Sequence, residues 1–324
     1  MDRQGFVAKV RGAVDEFART HCAADERWCV ALSGGADSLA LTAAAATVRP
    51  TVALIVDHGL QSESAAVASA AREQALGLGC VEAQVLEVAV GTSGGPESAA
   101  RTARYVALDA ARGGVPVLLA HTLDDQAETV LLGLGRGSGA RSIAGMRPHD
   151  PPWGRPLLGV RRTVTVGACE ELGLLPWHDP HNTDPRFTRV RLRSEVLPLL
   201  EEILGGGVAE ALARTAIGLR EDTETLDDLA AGALTTVCSG TGIESRLDAV
   251  QLTALAPALR RRVIRRWLLE GGGSDLTDGQ IRGVDRLVVD WRGRGGVAVG
   301  SSLRHQRLFA DRTGGVLILR TERV

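Results

Sequence analysis

Apolar and polar positions alternate in blocks through the first half of the chain. Short apolar runs, "WCVAL" (28–32), "TVALIVD" (51–57), "VEAQVLEV" (81–88) and "VPVLLA" (115–120), read as buried strands. Longer segments of helical character lie between and after them: "ADSLALTAAAATV" (36–48), "SESAAVASAAREQALGLG" (62–79), "ESAARTARYVALDAAR" (97–112) and "DDQAETVLLGL" (124–134). Glycines stop the second of these, and Gly113 and Gly114 stop the third. Repeated strand–helix units predict an α/β fold, a doubly wound parallel sheet with helices on both faces. Ligands of such sheets bind beyond the carboxyl ends of the strands. Those ends carry Ser33–Ser38, then Asp57, His58 and Gly59, then His121–Asp125, so three polar segments are expected to share one crevice.

Beyond residue 140 the pattern changes. "RPHDPPWGRPLL" (147–158) is irregular and proline-rich, and "PWHDPHNTDPRFTRVRLRSEVLPLL" (176–200) is a polar loop running into a helix. Residues from about 195 to 235 look helical, interrupted at Gly205–Gly207. "LTALAPALRRRVIRRWLLEGGG" (252–273) is a strongly basic helix, and short strands and turns follow it. The expected division is a catalytic domain over 1–200, a helical linker over 201–240 and a smaller, mainly helical domain over 241–324.

Composition adds few constraints. The 324 residues, 44% hydrophobic and 23% charged, suit a soluble globular chain with a sizeable core. No apolar run reaches transmembrane length, and the N-terminus lacks the apolar block of a signal peptide, so no membrane association and a cytoplasmic location are expected. Five cysteines without a CxxC pair argue against a disulfide framework, a zinc site or an iron–sulfur site. Charge is the informative quantity. The net value is −2, yet Gln251 to the C-terminus holds fourteen arginines against seven acids, a local +7 on a chain that is otherwise −9. A basic tail on an acidic body points to a polyanionic partner, with a solvated arginine-rich surface as the alternative.

The segment "ALSGGADSLALT" (31–42) turns a strand into a helix through a glycine pair. Backbone N–H groups of Ser33, Gly34, Gly35 and Ala36 can face an anion there, helped by the Ser33 and Ser38 hydroxyls. Asp37 does not bind phosphate directly; its expected role is to hold Mg²⁺ on the phosphates. A Walker-type loop needs a lysine, and the only lysine is Lys9. The Ser-Gly-Gly-x-Asp-Ser pattern resembles the pyrophosphatase-loop (PP-loop) enzymes, which cleave ATP between the α- and β-phosphates and adenylate a carbonyl-type oxygen.

Further motifs follow in order: "VDHGL" (56–60), "ESAARTARYVAL" (97–108), "AHTLDDQAETVLLGLGRGSGARSIAGM" (120–146), "RPLL" (155–158) and "DPHNTDPRFTRVRLRSEVLPLL" (179–200). As a set spanning roughly 28–200 they resemble the tRNA(Ile)-lysidine synthetases. That resemblance implies ATP and Mg²⁺ as cofactors and L-lysine and tRNA(Ile) with a CAU anticodon as substrates. The family transfers AMP to O2 of the wobble cytidine, and the lysine ε-amine then displaces it. A homodimer is left open.

The resemblance also suggests roles. Asp125 aligns with a catalytic-type aspartate; helix capping is the alternative for it and for Asp124. Glu128, four residues after Asp124, would help bind metal or lysine, or pair with an arginine. His121 lies beside them, although family members carry two histidines where this chain has His121–Thr122. Arg104, on a helix face with Arg101 and Tyr105, would stabilise charge on the α-phosphate. Arg136 sits in the flexible "GLGRGSGA" segment (133–140) near the substrate. Arg189 and Arg193 match the family's basic pattern and would neutralise phosphates, while Val190 stands where that pattern has asparagine. Asp57 and His58 are candidates for adenine recognition by position. Arg261 and Arg265, on a helix with Arg260, Arg262, Arg266 and Trp267, would contact RNA. The competing readings are another PP-loop tRNA-modifying or amidating enzyme, and an adenine-nucleotide sensor without turnover.

Overall fold

The computed structural model describes residues 5–23, 26–59, 63–91, 95–137, 139–179, 183–293 and 295–323. In chain order the elements of the first part are α1 (Phe6–His21), β1 (Trp28–Ala31), α2 (Ala36–Val48), β2 (Thr51–Asp57), α3 (Ser64–Gly77), β3 (Glu82–Glu87), α4 (Pro96–Ala111), β4 (Val117–Leu118), α5 (Leu123–Arg136) and α6 (Ala140–Ile143). There follow β5 (His149–Asp150), β6 (Trp153–Gly154), α7 (Arg162–Glu171), α8 (Thr188–Arg191), a wide π turn (Leu192–Val196), α9 (Leu197–Leu204) and α10 (Val208–Val237). The last part holds β7 (Cys238–Ser239), β8 (Arg246–Asp248), α11 (Ala249–Ala254), α12 (Pro257–Glu270), α13 (Asp278–Val289), β9 (Val297–Val299), β10 (Gln306–Thr313) and β11 (Val316–Arg323).

The chain separates into two compact units. Residues 1–135 with 145–216 make the first, and residues 136–144 with 217–324 make the second. The division between them falls inside α10, and the α6 segment groups with residues 217–324.

The first unit is built on a six-stranded sheet ordered β3-β2-β1-β4-β6-β5, parallel except for the pair β5–β6. The chain moves outward from β1 through β2 to β3, then crosses back to place β4 on the other side of β1. Period-two alternation sends side chains to opposite faces. Trp28 and Val30 of β1 pack with Val10, Val14 and Phe17 of α1 and Leu39 and Leu41 of α2. Cys29, Val52 and Leu54 pack instead with Leu108 of α4 and Val117 and Leu119. Both faces are thus covered, as the repeated strand–helix pattern predicts. The expected fourth strand shrinks to two paired residues, and β5 and β6 extend the sheet beyond it. Helices α1 and α7 were not expected. Val10, Val14, Phe17 and Ala18 form the buried stripe of α1, and Gly167 of α7 lets Phe6 approach so closely that a Cβ there would lie 2.5 Å from the Phe6 ring.

The second unit is mainly helical and adds a five-stranded antiparallel sheet, β7-β8-β11-β10-β9. Its core joins Leu247, Leu308 and Leu317 to Val263, Ile264, Trp267 and Leu268 of α12 and Val284 of α13. Two expectations about the basic helix change here. Trp267 is 1% exposed and donates its indole N–H to Ser245 Oγ (2.8 Å), because position 267 shares the apolar stripe of 263, 264 and 268; it is no platform for RNA bases. Arg260 is buried and donates to Asp285 Oδ1 (2.6 Å) and the Leu255 carbonyl (3.0 Å), so its charge is used internally. Arg262 pairs with Asp227 (3.2 Å) and Arg266 with Glu270 (2.9 Å). Arg261 and Arg265 are half-buried.

Removing one partner of a buried ion pair leaves the other charge without compensation. Asp285→Ala is expected to destabilise the second unit by about 3 kcal/mol, read as a lower thermal transition for that unit.

Candidate active site

The two strands flanking the reversal of strand order, β1 and β4, lead into the loops that make the site. Beyond β1, Leu32 runs into Ser33–Gly35 and the first turn of α2. Gly34 has φ +82°, a left-handed conformation that side chains disfavour. Its carbonyl accepts the Trp177 N–H (2.9 Å), which fastens the loop to the segment after α7. The Ser33 and Ser38 hydroxyls lie 3.1 Å apart, and Ser38 donates to the Gly35 carbonyl (2.9 Å). No side chain caps α2, so its N-terminal amides remain available to an anion.

Beyond β4, Thr122 starts α5. Asp125 Oδ2 accepts from the Thr122 N–H and hydroxyl, each at 2.8 Å. Asp125 therefore does cap its helix, as its position suggested, but with one oxygen only. The other, Oδ1, accepts from Arg162 (2.6 Å) and Arg193 (3.4 Å). Asp124 turns away. Its Oδ2 accepts the Arg162 backbone N–H (2.7 Å) and its Oδ1 meets Arg161 (3.2 Å), so it caps α7. Glu128, one turn further along α5, is 1% exposed and receives two bonds from Arg193 (2.7 and 3.1 Å) and a longer contact from Arg162 (3.5 Å).

Arg162 ties these parts together. It donates Nε–H to Asp37 Oδ2 (3.0 Å) while its Nη2 holds Asp125. Thr165, one turn along α7, donates to the other Asp37 oxygen. Three carboxylates and two guanidiniums thus form a connected network in a half-buried space. Arg193 reaches it from the π turn, where the widened backbone re-aims side chains relative to α8 and α9.

A cleft of about 520 Å³ opens over this network. Ser33, Gly35, Ala36, Asp37 and Ser38 line one side, and His121, Asp125, Arg162 and Arg193 another. Leu54, Val56, Tyr105, Leu108 and Leu119 make an apolar wall on the α4 face, and Arg101 and Arg104 stand at its rim. Arg104 lies 3.4 Å from the His58 ring, and burial lowers its basicity, with Arg101 adding to the effect. Asp57 accepts the Gly59 N–H (2.9 Å). Asp57 and His58 therefore flank the cleft through neighbours and do not line it. Arg136 is exposed at the end of α5, and Arg189 is exposed on α8. Arg186 and Arg191 are matched by Asp184 (2.6 Å) and Glu195 (2.9 Å). Leu60, Ser138 and residues 180–182, within three of the quoted motifs, lie outside the described residues.

The electrostatics separate the carboxylates. Burial pushes the Asp37 carboxyl up, against the pull of Arg162 and the Thr165 hydroxyl. Burial also acts on Asp125, but Arg162, the Thr122 amide and His121 together hold it below the ordinary range. Arg162, despite its burial, is kept more firmly protonated by Asp125, Asp37 and Glu128. Burial lowers His121 to about 4, helped by Arg155, Arg101 and Arg189 and opposed by Asp125; its Nδ1 finds no partner among the described residues. Arg162, Thr165 and Trp177 escaped the sequence reading. Each has a partner more than a hundred residues away, Asp37 for Arg162 and Thr165 and Gly34 for Trp177, and "GVRRTVT" around the first two has no local pattern of its own.

The profile of the PP-loop domain matches residues 7–200, and that of the TilS substrate binding domain matches residues 247–309. The tRNA(Ile)-lysidine synthase of Mycobacterium tuberculosis is 68% identical over 324 residues, all of both chains. The chain belongs to the tRNA(Ile)-lysidine synthase family. Relatives in this family extend to Mycobacterium leprae, 68% identical over 98% of both chains, and Rhodococcus erythropolis, 61% identical over 90% of this chain and 89% of that one. Among solved structures, the U34-tRNA thiolase NcsA of Methanococcus maripaludis superposes with a TM-score of 0.54 at 18% identity, covering 67% of this chain and 80% of that one. The last likeness concerns the fold, a PP-loop sheet. No helix among the described residues is long and apolar enough to cross a membrane.

The cleft has a pH signature. His121 in the folded chain titrates near 4, below its ordinary 6.5. Its contribution is therefore intact above pH 6.5 and is lost as pH falls toward 4, where the unfolded chain takes up a proton first. His121→Asn is expected to remove that slope, a difference of up to about 3 kcal/mol between pH 6.5 and 4, measured by denaturant unfolding of both proteins across this range.

Proposed function

We propose that this chain ligates L-lysine to C2 of the wobble cytidine in the CAU anticodon of tRNA(Ile), converting ATP to AMP and pyrophosphate. The observation that carries the reading is a single cleft in which an amide-lined loop and a carboxylate pair suited to an amine share one guanidinium. In the first step cytidine O2 attacks the α-phosphorus and pyrophosphate leaves. In the second the lysine ε-amine attacks C2, and O2 departs with AMP.

The residues divide the work. The amides of Gly35, Ala36 and Asp37 with the Ser33 and Ser38 hydroxyls would hold the phosphates. The Leu54–Val56–Leu119 wall would take the adenine, with Asp57 and His58 at its edge. Arg104 would meet the charge developing on the α-phosphate. Asp125 and Glu128, with Arg193 fixing their orientation, would bind the substrate ammonium, and Asp125 would accept the proton that makes the amine nucleophilic. Asp124 supports the site through α7, and His121 stays neutral beside Asp125.

The acidic groups suit a metal carried in on the nucleotide. Asp37 is the one carboxylate in the loop after β1, and the described residues contain no group of three acids, histidines or cysteines that would form a cage. One carboxylate plus phosphate oxygens is an ordinary Mg²⁺ arrangement, which would screen the triphosphate charge. Residues 1–200 would form the catalytic domain, 201–240 a helical linker and 241–324 the tRNA-binding part. Arg136, Arg189, Arg261 and Arg265 would lie on RNA phosphates. A cytoplasmic location follows from the substrate.

Incubating the protein with ATP, Mg²⁺, labelled lysine and a tRNA(Ile) transcript bearing CAU tests this reading. ATP-dependent label in the tRNA is expected, and its absence with ATP unchanged overturns the reading. Asp125→Asn should lower transfer by about 100-fold with the melting temperature little changed; full-rate transfer removes the role given to Asp125.

A further inference from the structure

Arg162 contacts Asp37 of the nucleotide loop at 3.0 Å and Asp125 of α5 at 2.6 Å, with Glu128 3.5 Å away. These groups come from two different strand ends, and on the reading above they serve two different substrates. Asp37 faces the phosphates, while Asp125 and Glu128 face the amine. The guanidinium fills the space between them, and its backbone N–H is fixed by Asp124 (2.7 Å). Only the side chain is free to move. Two nearby arginines have other duties. Arg193 is committed to Glu128 by two bonds, and Arg161 bridges Asp124 and Glu210 (2.7 Å). The charge of the cluster is therefore set by Arg162. With it, three carboxylates face two guanidiniums; without it, they face one.

We propose that Arg162 is a positioning residue that couples the nucleotide site to the lysine site. Arg162 sits at the cation position of both. When Mg²⁺-ATP is bound, Arg162 loses Asp37 to the metal and turns toward the triphosphate, whose negative charge it can share. Asp125 and Glu128 are then left with Arg193 alone and an unbalanced negative charge that an ε-ammonium fills. Nucleotide binding thus raises the affinity for lysine, and by reciprocity lysine raises the affinity for nucleotide. The amine therefore binds most tightly once the phosphates are in place, before any adenylated base has formed. The inference rests on the assignment of the amine to Asp125 and Glu128.

Calorimetric titration of L-lysine into the full-length protein, with and without Mg²⁺ and α,β-methylene-ATP, tests it. That analogue cannot be cleaved between the α- and β-phosphates. The wild type is expected to bind lysine at least about fivefold more tightly with the analogue present. Arg162→Gln and Arg162→Lys should bind both ligands with that difference reduced below about twofold, because neither side chain can span both carboxylate sites. Equal lysine affinity with and without analogue in the wild type overturns the coupling, whatever the variants do. Wild-type coupling retained in either variant overturns the role of Arg162. If lysine binds in neither condition while the analogue binds normally, the amine assignment falls, and the coupling with it.

Discussion

The cleft depends on keeping three carboxylates close together and charged. Two unit charges 4 Å apart interact by about 4 kcal/mol at an effective dielectric near 20, so Asp37, Asp125 and Glu128 would repel strongly if left to themselves. Arg162 and Arg193 offset that repulsion by direct contact. The arginines are rigid forks that serve more than one carboxylate at once, which a lysine ammonium at the end of a flexible stem does less well. The network therefore fixes side-chain geometry as well as charge. It also explains why neighbouring acids in one cleft differ, with Asp37 pushed up by burial and Asp125 held down by Arg162 and the Thr122 amide.

Topology supplies the rest of the arrangement. The chain leaves β1 for β2 on one side and returns to β4 on the other, so the loops after β1 and β4 part from each other above the sheet and leave a crevice. One loop offers backbone amides and hydroxyls, and the other offers carboxylates at a helix start. Anionic phosphates and a cationic amine thus have separate walls within a single cleft of about 520 Å³. Helix α7 closes it from behind, because Arg162 and Thr165 sit one turn apart and both reach Asp37.

The alternation of apolar runs and helical segments made the sheet, its two-sided cover and the meeting of the Ser33 and His121 loops legible in the sequence. Short elements were less so. β4 has only two paired residues, and β5 and β6 are too short to show a period. Helix α1 carries a stripe at 10, 14, 17 and 18, but the charged residues interleaved with it mask its apolar face in the sequence. Arg162 was invisible for a different reason. An arginine among arginines has no signature, and its role is defined only by carboxylates at positions 37, 125 and 128. The same ambiguity misled the reading of α12. Five arginines look alike in the sequence, but Arg260 is buried against Asp285 and Trp267 belongs to the core.

The near absence of lysine from the chain has a chemical consequence at this site. The reaction needs a neutral ε-amine beside an activated base, and a lysine in place of Arg162 or Arg193 would present a second such amine among the same carboxylates. That group could lose its proton to Asp125 as readily as the substrate does, and could attack the adenylated cytidine in its stead. A guanidinium stays protonated throughout the physiological range and is no competing nucleophile. The carboxylates around Arg162 reinforce this by holding its proton more firmly. Arginine counter-ions therefore supply the positive charge that Asp37, Asp125 and Glu128 require while leaving the bound amino acid as the one amine there that can be deprotonated.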